Sequence, residues 1–313
     1  MASNSARSGA PFERTRVGVY LLVTFAVSWA VGVVVYATGG IVDSPQVVGP
    51  FSLATLLLAT GYMWGPTVGN VAARLVTGEG FDDVALRPHV RESWRTWLLA
   101  WFAPIGLLLV GAALYFAVFP GQFDPSLSGL SAVLAQSGVP AGSVWTVVVL
   151  QSVLAVVISP VVNAPATFGE EFGWRGYLLP KLLPLGERRA VLYSGAIWGV
   201  WHWPVILMGY NYGFGYPGAP WTGLLAMVVF TVALGGFFAW VALRGGSVWP
   251  AVIAHGAVNG TAGLALIFLS GQPNVLLGPA PTGVLAALPW LAVTAWLCYR
   301  PDRLAPEHPG RFP

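Results

Sequence analysis

The sequence predicts an all-α, polytopic membrane protein with about eight transmembrane helices and with both termini in the cytoplasm. Hydrophobic residues make up 56% of the chain and charged residues only 9%, whereas soluble globular proteins carry roughly 25% charged residues. Several apolar runs reach the roughly 20 residues that a helix needs to cross a bilayer. A transmembrane barrel would instead show short segments of alternating hydrophobicity.

Four apolar segments fill the first half of the chain, after a polar tail at 1–16 for which we expect disorder. The segments cover roughly residues 17–37, 51–75, 97–119 and 143–162. Gly65-Pro66 interrupts the second segment, and Asn163-Ala164-Pro165 breaks or kinks the fourth, because proline lacks the amide hydrogen of an interior helical residue. A broken backbone at membrane depth is tolerated only beside protein or water, so the kink favours a polar cavity nearby.

Four further apolar segments follow in the second half of the chain. They cover roughly residues 190–208, 221–243, 248–269 and 282–299. A connection rich in Tyr, Gly and Pro separates the first two of them, and a polar tail at 301–313 closes the chain. We therefore expect one transmembrane domain over residues 17–300, without a separate soluble domain.

The basic residues predict the orientation of this domain. Every Lys and Arg except Arg175 falls in the N-terminal tail, in the connections after the second, fourth and sixth segments, or in the C-terminal tail. The alternate connections carry none. Since connections rich in Lys and Arg stay in the cytoplasm, both termini are predicted to face it across a cell inner or plasma membrane.

The remaining composition excludes two classes of function or structure. The net charge is only +3, and the basic residues lie between apolar segments, so the sequence does not indicate a nucleic-acid partner. Cys298 is the single cysteine, which rules out an intrachain disulfide. The bilayer itself is the partner that this composition predicts.

A charged cluster lies in an apolar part of the chain, between Thr167 and Tyr177. It consists of Glu170, Glu171 and Arg175. Ionisable residues are costly inside a membrane, so they indicate function unless they are paired. Glu171 and Arg175 are four residues apart and can pair on one helical face. The cluster is therefore either a reactive site, an internal ion pair, or both.

Three further polar side chains lie at a similar predicted depth. With a rise of 1.5 Å per residue, Glu170 and His255 lie roughly 16 Å from the nearest basic edge, His202 roughly 20 Å and Asn259 roughly 22 Å. Taken singly, each histidine is as consistent with a hydrogen bond between helices, and Asn259 fits helix packing. The common depth favours one site that contains Glu170, His202, His255 and Asn259.

A carboxylate, two imidazoles and an amide form a set that suits hydrolysis. A glutamate or histidine can take a proton from water, and histidine or asparagine donors can stabilise an oxyanion. Alternatively, Glu170, His202 and His255 could hold a divalent metal such as zinc that activates the water. The sequence contains neither the His-Glu-x-x-His pattern of zinc proteases nor Gly-x-Ser-x-Gly.

Three motifs give the sequence a family resemblance. Residues 170–176, Glu-Glu-Phe-Gly-Trp-Arg-Gly, resemble the Glu-Glu-x-x-x-Arg motif of the CPBP intramembrane proteases, the family of CAAX prenyl endopeptidases and bacteriocin-processing enzymes. Trp198 to His202 is similar to the second motif of that family, Phe-x-x-x-His, with tryptophan in place of phenylalanine. His255 to Asn259 is similar to the third motif, His-x-x-x-Asn. The resemblance covers roughly residues 143–269, the expected catalytic core.

This resemblance implies an all-helical intramembrane endopeptidase and a role for each site residue. Glu170 would activate water together with His202, and His255 and Asn259 would form the oxyanion hole. Glu171 and Arg175 would orient the site as an internal pair. The resemblance leaves a metal-dependent and a metal-free mechanism open.

The expected function is hydrolysis of a peptide bond in a membrane-associated, prenylated or otherwise lipophilic substrate. The substrate is accordingly a peptide or a membrane protein. Two other classes stay open. A catalytically silent family member would act as a membrane scaffold or immunity factor, and a small-solute transporter would also carry polar residues and broken helices near the middle of the bilayer.

Overall fold

The computed structural model describes residues 12–138, 143–300 and 304, and most of them are helical. The helices are α1 Arg14–Ala37, α2 Leu53–Thr60, α3 Gly65–Thr77, α4 Trp94–Val118, α5 Ser128–Gln136, α6 Val144–Val153, α7 Ser159–Val162, α8 Ala164–Gly173, α9 Leu179–Leu182, α10 Glu187–Trp201, α11 Trp203–Leu207, α12 Trp221–Gly245, α13 Trp249–Thr261 and α14 Leu288–Tyr299. Two short strands, β1 Gln46–Val48 and β2 Phe51–Ser52, pair antiparallel.

Within the described residues, six helical stretches are long and apolar enough to cross a membrane. These are Arg14–Ala37, Trp94–Val118, Val144–Val162, Glu187–Leu207, Trp221–Gly245 and Trp249–Phe268. The protein is therefore an all-α, multi-pass membrane protein, as its composition predicts. The predicted polar tail at 1–16 is shorter than expected, because Arg14 and Arg16 belong to α1. Residues 1–11, 301–303 and 305–313 lie outside the described residues.

The second predicted segment is interrupted, as expected, although the interruption begins before Gly65-Pro66. Its first residues form β2, α2 ends before Gly61, and a 3-10 turn at Tyr62–Trp64 leads into α3. Pro66 lies in the first turn of α3, where the missing amide hydrogen costs nothing because no intrahelical partner exists there. The helix is therefore interrupted one turn earlier than Gly65-Pro66.

The last predicted segment is also shorter than expected. The sequence suggested a helix from about residue 282, but α14 begins at Leu288 and has 12 residues. The preceding connection contains Pro279 and Pro281 and has irregular backbone. Each of these prolines lacks the amide hydrogen that a helical interior requires, so the helix begins only after them.

The fourth segment and the helices that directly continue it contain the predicted break at Asn163 and two further irregularities. Asn163 separates α7 from α8, and its side-chain amide donates to the carbonyl of Ser159 at 2.9 Å. π-Helical turns occupy Leu154–Ile158 and Trp174–Leu178, and each ends two residues before a proline, Pro160 or Pro180. A proline ring clashes with the carbonyl four residues earlier, and the wider π turn relieves that clash.

Close contacts hold α8 between α3 and α13. The hydroxyl of Thr167 donates to the carbonyl of Val252 in α13 at 3.0 Å, and a Cβ at Gly173 would lie 2.4 Å from the backbone of Pro66 in α3. Glycine allows such backbone approach between membrane helices. The amide of Asn70 adds a hydrogen bond of 2.8 Å to the carbonyl of Phe172. The helix that carries the glutamates is thus fixed from both sides.

Candidate active site

A cavity of about 400 Å³ lies among α2, α8, α10, α12 and α13. Four side chains predicted from the sequence line it: Glu170, His202, His255 and Asn259. Most of the remaining wall is apolar or aromatic, with a few hydroxyl and amide groups. Residues that are up to 89 positions apart in the chain therefore meet around one space.

Glu170 lies in the wall of this cavity with only 2% of its surface exposed. Its Oε2 atom accepts hydrogen bonds from the indole nitrogens of Trp198 at 2.7 Å and Trp174 at 3.4 Å. Both donors bind the same oxygen. Within the described residues, Oε1 of Glu170 has no hydrogen-bond donor, so this oxygen is the one available to a water molecule or substrate.

Glu171 points away from the cavity into a buried ion-pair cluster. Its Oε1 atom accepts from Nη1 of Arg175 and from Nδ1 of His255, both at 2.9 Å. The guanidinium of Arg175 lies 4.5 Å from the ring centre of Trp198, a cation–π arrangement. Glu171 and Arg175 therefore form the internal pair that their spacing suggested, and the pair extends to His255 on α13.

The two histidines have their rings held by different partners. A carboxylate oxygen only accepts, so Nδ1 of His255 carries the proton in its contact with Glu171. Nδ1 of His202 lies 2.8 Å from the carbonyl of Trp198 and donates to it for the same reason. In a neutral imidazole the remaining nitrogen is then an acceptor. Each ring thus leaves Nε2 free of these contacts and available to the cavity.

Asn259 lies one turn beyond His255 on α13. Its side chain is exposed, in contrast to His255, and it lines the same cavity. An amide there offers two N–H donors and one acceptor. The i,i+4 spacing that placed the two residues on one helical face is therefore retained in the structure.

The residues do not fit the metal alternative that the sequence allowed. Among the described residues, no three His, Cys, Asp or Glu side chains are arranged so that they could hold a metal ion. Glu170, His202 and His255 share the cavity without forming a metal-ligand set, so the arrangement does not support a zinc-dependent reaction.

Two tryptophans contribute to the site in a way that the sequence did not predict. Trp198, which the sequence placed only in the second motif, donates to Glu170, packs over Arg175 and lies edge-on to His255, with ring centres 5.4 Å apart. Trp174 follows Glu170 by four residues, a spacing that indicates contact on a helix. The indole N–H was the available signal, because it needs an acceptor when buried.

These features define a multi-pass membrane protein with a buried carboxylate and two imidazoles around one cavity. Residues 145–261 match the family model described as Rce1-like, type II CAAX prenyl endopeptidase. All six predicted site residues lie in the matched segment, and the match confirms the resemblance to the CPBP intramembrane proteases. At the level of the family, it supports a CAAX-type intramembrane protease. No curated protein matches the sequence.

Proposed function

We propose that the protein is an intramembrane endopeptidase that hydrolyses a peptide bond of a membrane-associated or lipophilic polypeptide. The observation that carries this proposal is the meeting of Glu170, His202, His255 and Asn259 around one cavity in an apolar environment. A protein scaffold has no need of a carboxylate with one unbonded oxygen beside two oriented imidazoles. The family match supports the same class of reaction.

In the proposed reaction, water is activated between Glu170 and His202. Oε1 of Glu170 accepts a proton from the water while Nε2 of His202 orients it. The water oxygen adds to the carbonyl carbon of the scissile bond and gives a tetrahedral oxyanion. The C–N bond then breaks, and Glu170 returns the proton to the leaving nitrogen, so that the products are a carboxylic acid and an amine. Proton transfer of this kind contributes about 10²- to 10⁴-fold to a rate.

The proposed oxyanion hole consists of Asn259 and His255. The amide of Asn259 donates directly, and His255 donates through Nε2 when its ring is protonated. The carboxylate of Glu171, 2.9 Å from Nδ1, fixes the orientation of that ring. Loss of a single oxyanion donor typically lowers kcat by about 10²- to 10³-fold.

We further propose eight membrane crossings, with both termini in the cytoplasm, in a cell inner or plasma membrane. Two shorter crossings complete the six long ones. The first consists of α2 and α3, which pack along α1, and the second is α14, which packs on α12. With this count, every Lys and Arg of the chain except Arg175 lies on one side, as the positive-inside rule requires.

The test uses purified protein in liposomes and a panel of internally quenched peptides. The panel contains peptides anchored by a transmembrane helix and peptides that end in a prenylated CAAX sequence. Wild type should cleave at least one class, and Glu170→Gln and His202→Ala should abolish that cleavage. The matched controls are Glu92→Gln at an exposed position and His89→Asn at a partly buried position of the same connection, remote from the cavity, and both should leave the rate unchanged.

Two outcomes would contradict the proposal. Cleavage by Glu170→Gln at the wild-type rate would remove the proposed role of this carboxylate. Activity that a chelator abolishes and added zinc restores would show that the water is activated by a metal, contrary to the arrangement of the side chains.

A further inference from the structure

The cavity and the basic residues lie at opposite ends of the helical bundle. Three connections line one end of the cavity, through Ser52, Asn211 and Thr282. These connections, 38–52, 208–220 and 269–287, contain no Lys or Arg. The cavity therefore extends to the end of the bundle that carries no positive charge.

The opposite end is closed below Glu170 by a layer of aromatic side chains. Trp174 is 1% exposed and Tyr177 is fully buried, and both pack against Tyr20 of α1. The ring centres of Tyr20 and Trp174 are 5.9 Å apart, and those of Tyr20 and Tyr177 are 5.2 Å apart. This layer fills the space between the glutamate and the basic end.

A network of ion pairs lies beyond the aromatic layer. Lys181 pairs with Glu13 at 3.1 Å and also with Glu79, which is 3.7 Å from Arg16. The network joins α1, the end of α3 and α9, so it ties together three elements at the basic end. A substrate cannot reach Glu170 from this end without separating both the network and the aromatic layer.

We propose that the active-site cavity opens to the extracytoplasmic face of the membrane. The cavity extends to one end of the bundle, the opposite end is closed, and the connections at the cavity end lack the Lys and Arg that mark the cytoplasmic side. This inference rests on the proposed function and narrows its substrate: the scissile bond lies in a polypeptide segment on the outer side of the membrane. A prenylated C-terminus in the cytosol is on the wrong side of the bilayer to enter.

The chemistry of the wall further restricts the segment that enters. Apart from Glu170, His202 and His255, the described residues that line the cavity carry no charged group. A charged side chain that entered would lose its hydration without gaining an opposite charge. The substrate segment is accordingly uncharged and largely apolar, as is the outer flank of a transmembrane anchor.

The experiment is cysteine labelling from each side of the membrane, in a Cys298→Ser background. Single cysteines are introduced at Ala166 inside the cavity, at exposed Val47 on the same side, and at exposed Glu92 in a basic connection. Intact spheroplasts are treated with a charged, membrane-impermeant maleimide, with and without permeabilisation. Val47→Cys and Ala166→Cys should label in intact spheroplasts, and Glu92→Cys only after permeabilisation.

Two results would overturn the inference. Labelling of Val47→Cys only after permeabilisation would invert the orientation of the whole bundle. If Ala166→Cys is labelled only after permeabilisation, as expected for Glu92→Cys, or is not labelled at all, the cavity does not open outward. Because labelling does not require catalysis, an inactive protein with an outward cavity contradicts the proposed function alone. An active protein with an inward cavity contradicts only this inference.

Discussion

The two faces of α8 carry neighbouring glutamates in very different surroundings. On one face, Glu170 borders the cavity and has two indole donors on a single oxygen. On the other face, Glu171 is completely buried and bonds to Arg175 and His255. The comparison teaches that the neighbours decide what a carboxylate does: Glu171 is paired with a buried guanidinium and holds helices together, whereas Glu170 borders a cavity where it can exchange a proton with water or substrate.

The largest expected effect belongs to the cavity face. Glu170→Gln keeps the size of the side chain but removes the proton acceptor, so the cleavage rate should fall by about 10²- to 10⁴-fold. The melting temperature in detergent should change little, because the indole donors can still bond to an amide oxygen. Initial rates and thermal unfolding of the same preparation measure both quantities. If Glu170→Gln also unfolds at a clearly lower temperature, the role of Glu170 is structural, like that of Glu171.

On the other face we expect the reverse pattern for Glu171→Gln. Removal of one partner of a buried ion pair costs about 3–5 kcal/mol, because the other charge is left uncompensated. The variant should therefore melt at a clearly lower temperature and give less folded protein. The double variant Glu171→Gln/Arg175→Met should recover part of that stability, since an apolar replacement of the pair leaves no buried charge.

Recovery in the double variant would establish that the loss comes from the unpaired guanidinium. If Glu171→Gln instead unfolds like wild type but hydrolyses no peptide, the two glutamates act in the same step and the contrast between the faces disappears. The kcat and KM values of the folded fraction distinguish these cases.

A smaller effect is expected where the two faces meet, at Trp198. This side chain donates to Glu170 and also packs over Arg175. Trp198→Phe keeps an aromatic ring but removes the hydrogen bond to a charged group, which is worth about 1.5–3 kcal/mol. The rate should fall by about 10- to 10²-fold if that energy is lost in the transition state, and the melting temperature should fall as well. Trp240→Phe, in the packed wall away from the cavity, is the matched control and should leave the rate unchanged.

The smallest effect on stability is expected for Asp124, a carboxylate in a connection outside the membrane. Asp124 accepts hydrogen bonds from Ser126 and Ser128, which hold its pKa well below the ordinary value. A depressed folded-state pKa stabilises the protein above the pKa of the unfolded state, and the stabilisation is lost as the pH falls through the folded-state pKa. Asp124→Asn should therefore lower the melting temperature slightly at neutral pH and not at strongly acidic pH. Equal shifts at both pH values would show that the carboxylate charge is irrelevant there.

The sequence predicted the members of the site better than their contacts. Glu170, His202, His255 and Asn259 were found because polar groups are costly in apolar segments and because their depths agree. The pair of Glu171 with Arg175 follows from helical spacing. The contact of Glu171 with His255 joins residues 84 positions apart, and no local pattern encodes which nitrogen of a ring meets which oxygen.

The errors in the fold have a common physical origin. Hydropathy measures whether a segment is apolar, not whether its backbone is continuous. Gly65-Pro66 indicated an interruption, but the helix already breaks at Gly61, and α14 begins later than its apolar run, after Pro279 and Pro281. The role of Trp198 was missed for a related reason: hydropathy counts an indole as apolar, although its N–H can bond to a buried carboxylate.

The π turn at Trp174–Leu178 has a consequence for how this chain tolerates insertions and deletions. One residue corresponds to about 100° of rotation in an α-helix, so an extra residue would turn everything after it unless the helix widens locally, as it does in a π turn. Deletion of one residue there should restore an α-helical turn and leave both Glu170 and Lys181 in place. The π turn therefore marks a position where this crossing can gain or lose one residue without changing the orientation of its cavity end relative to its ion-paired end.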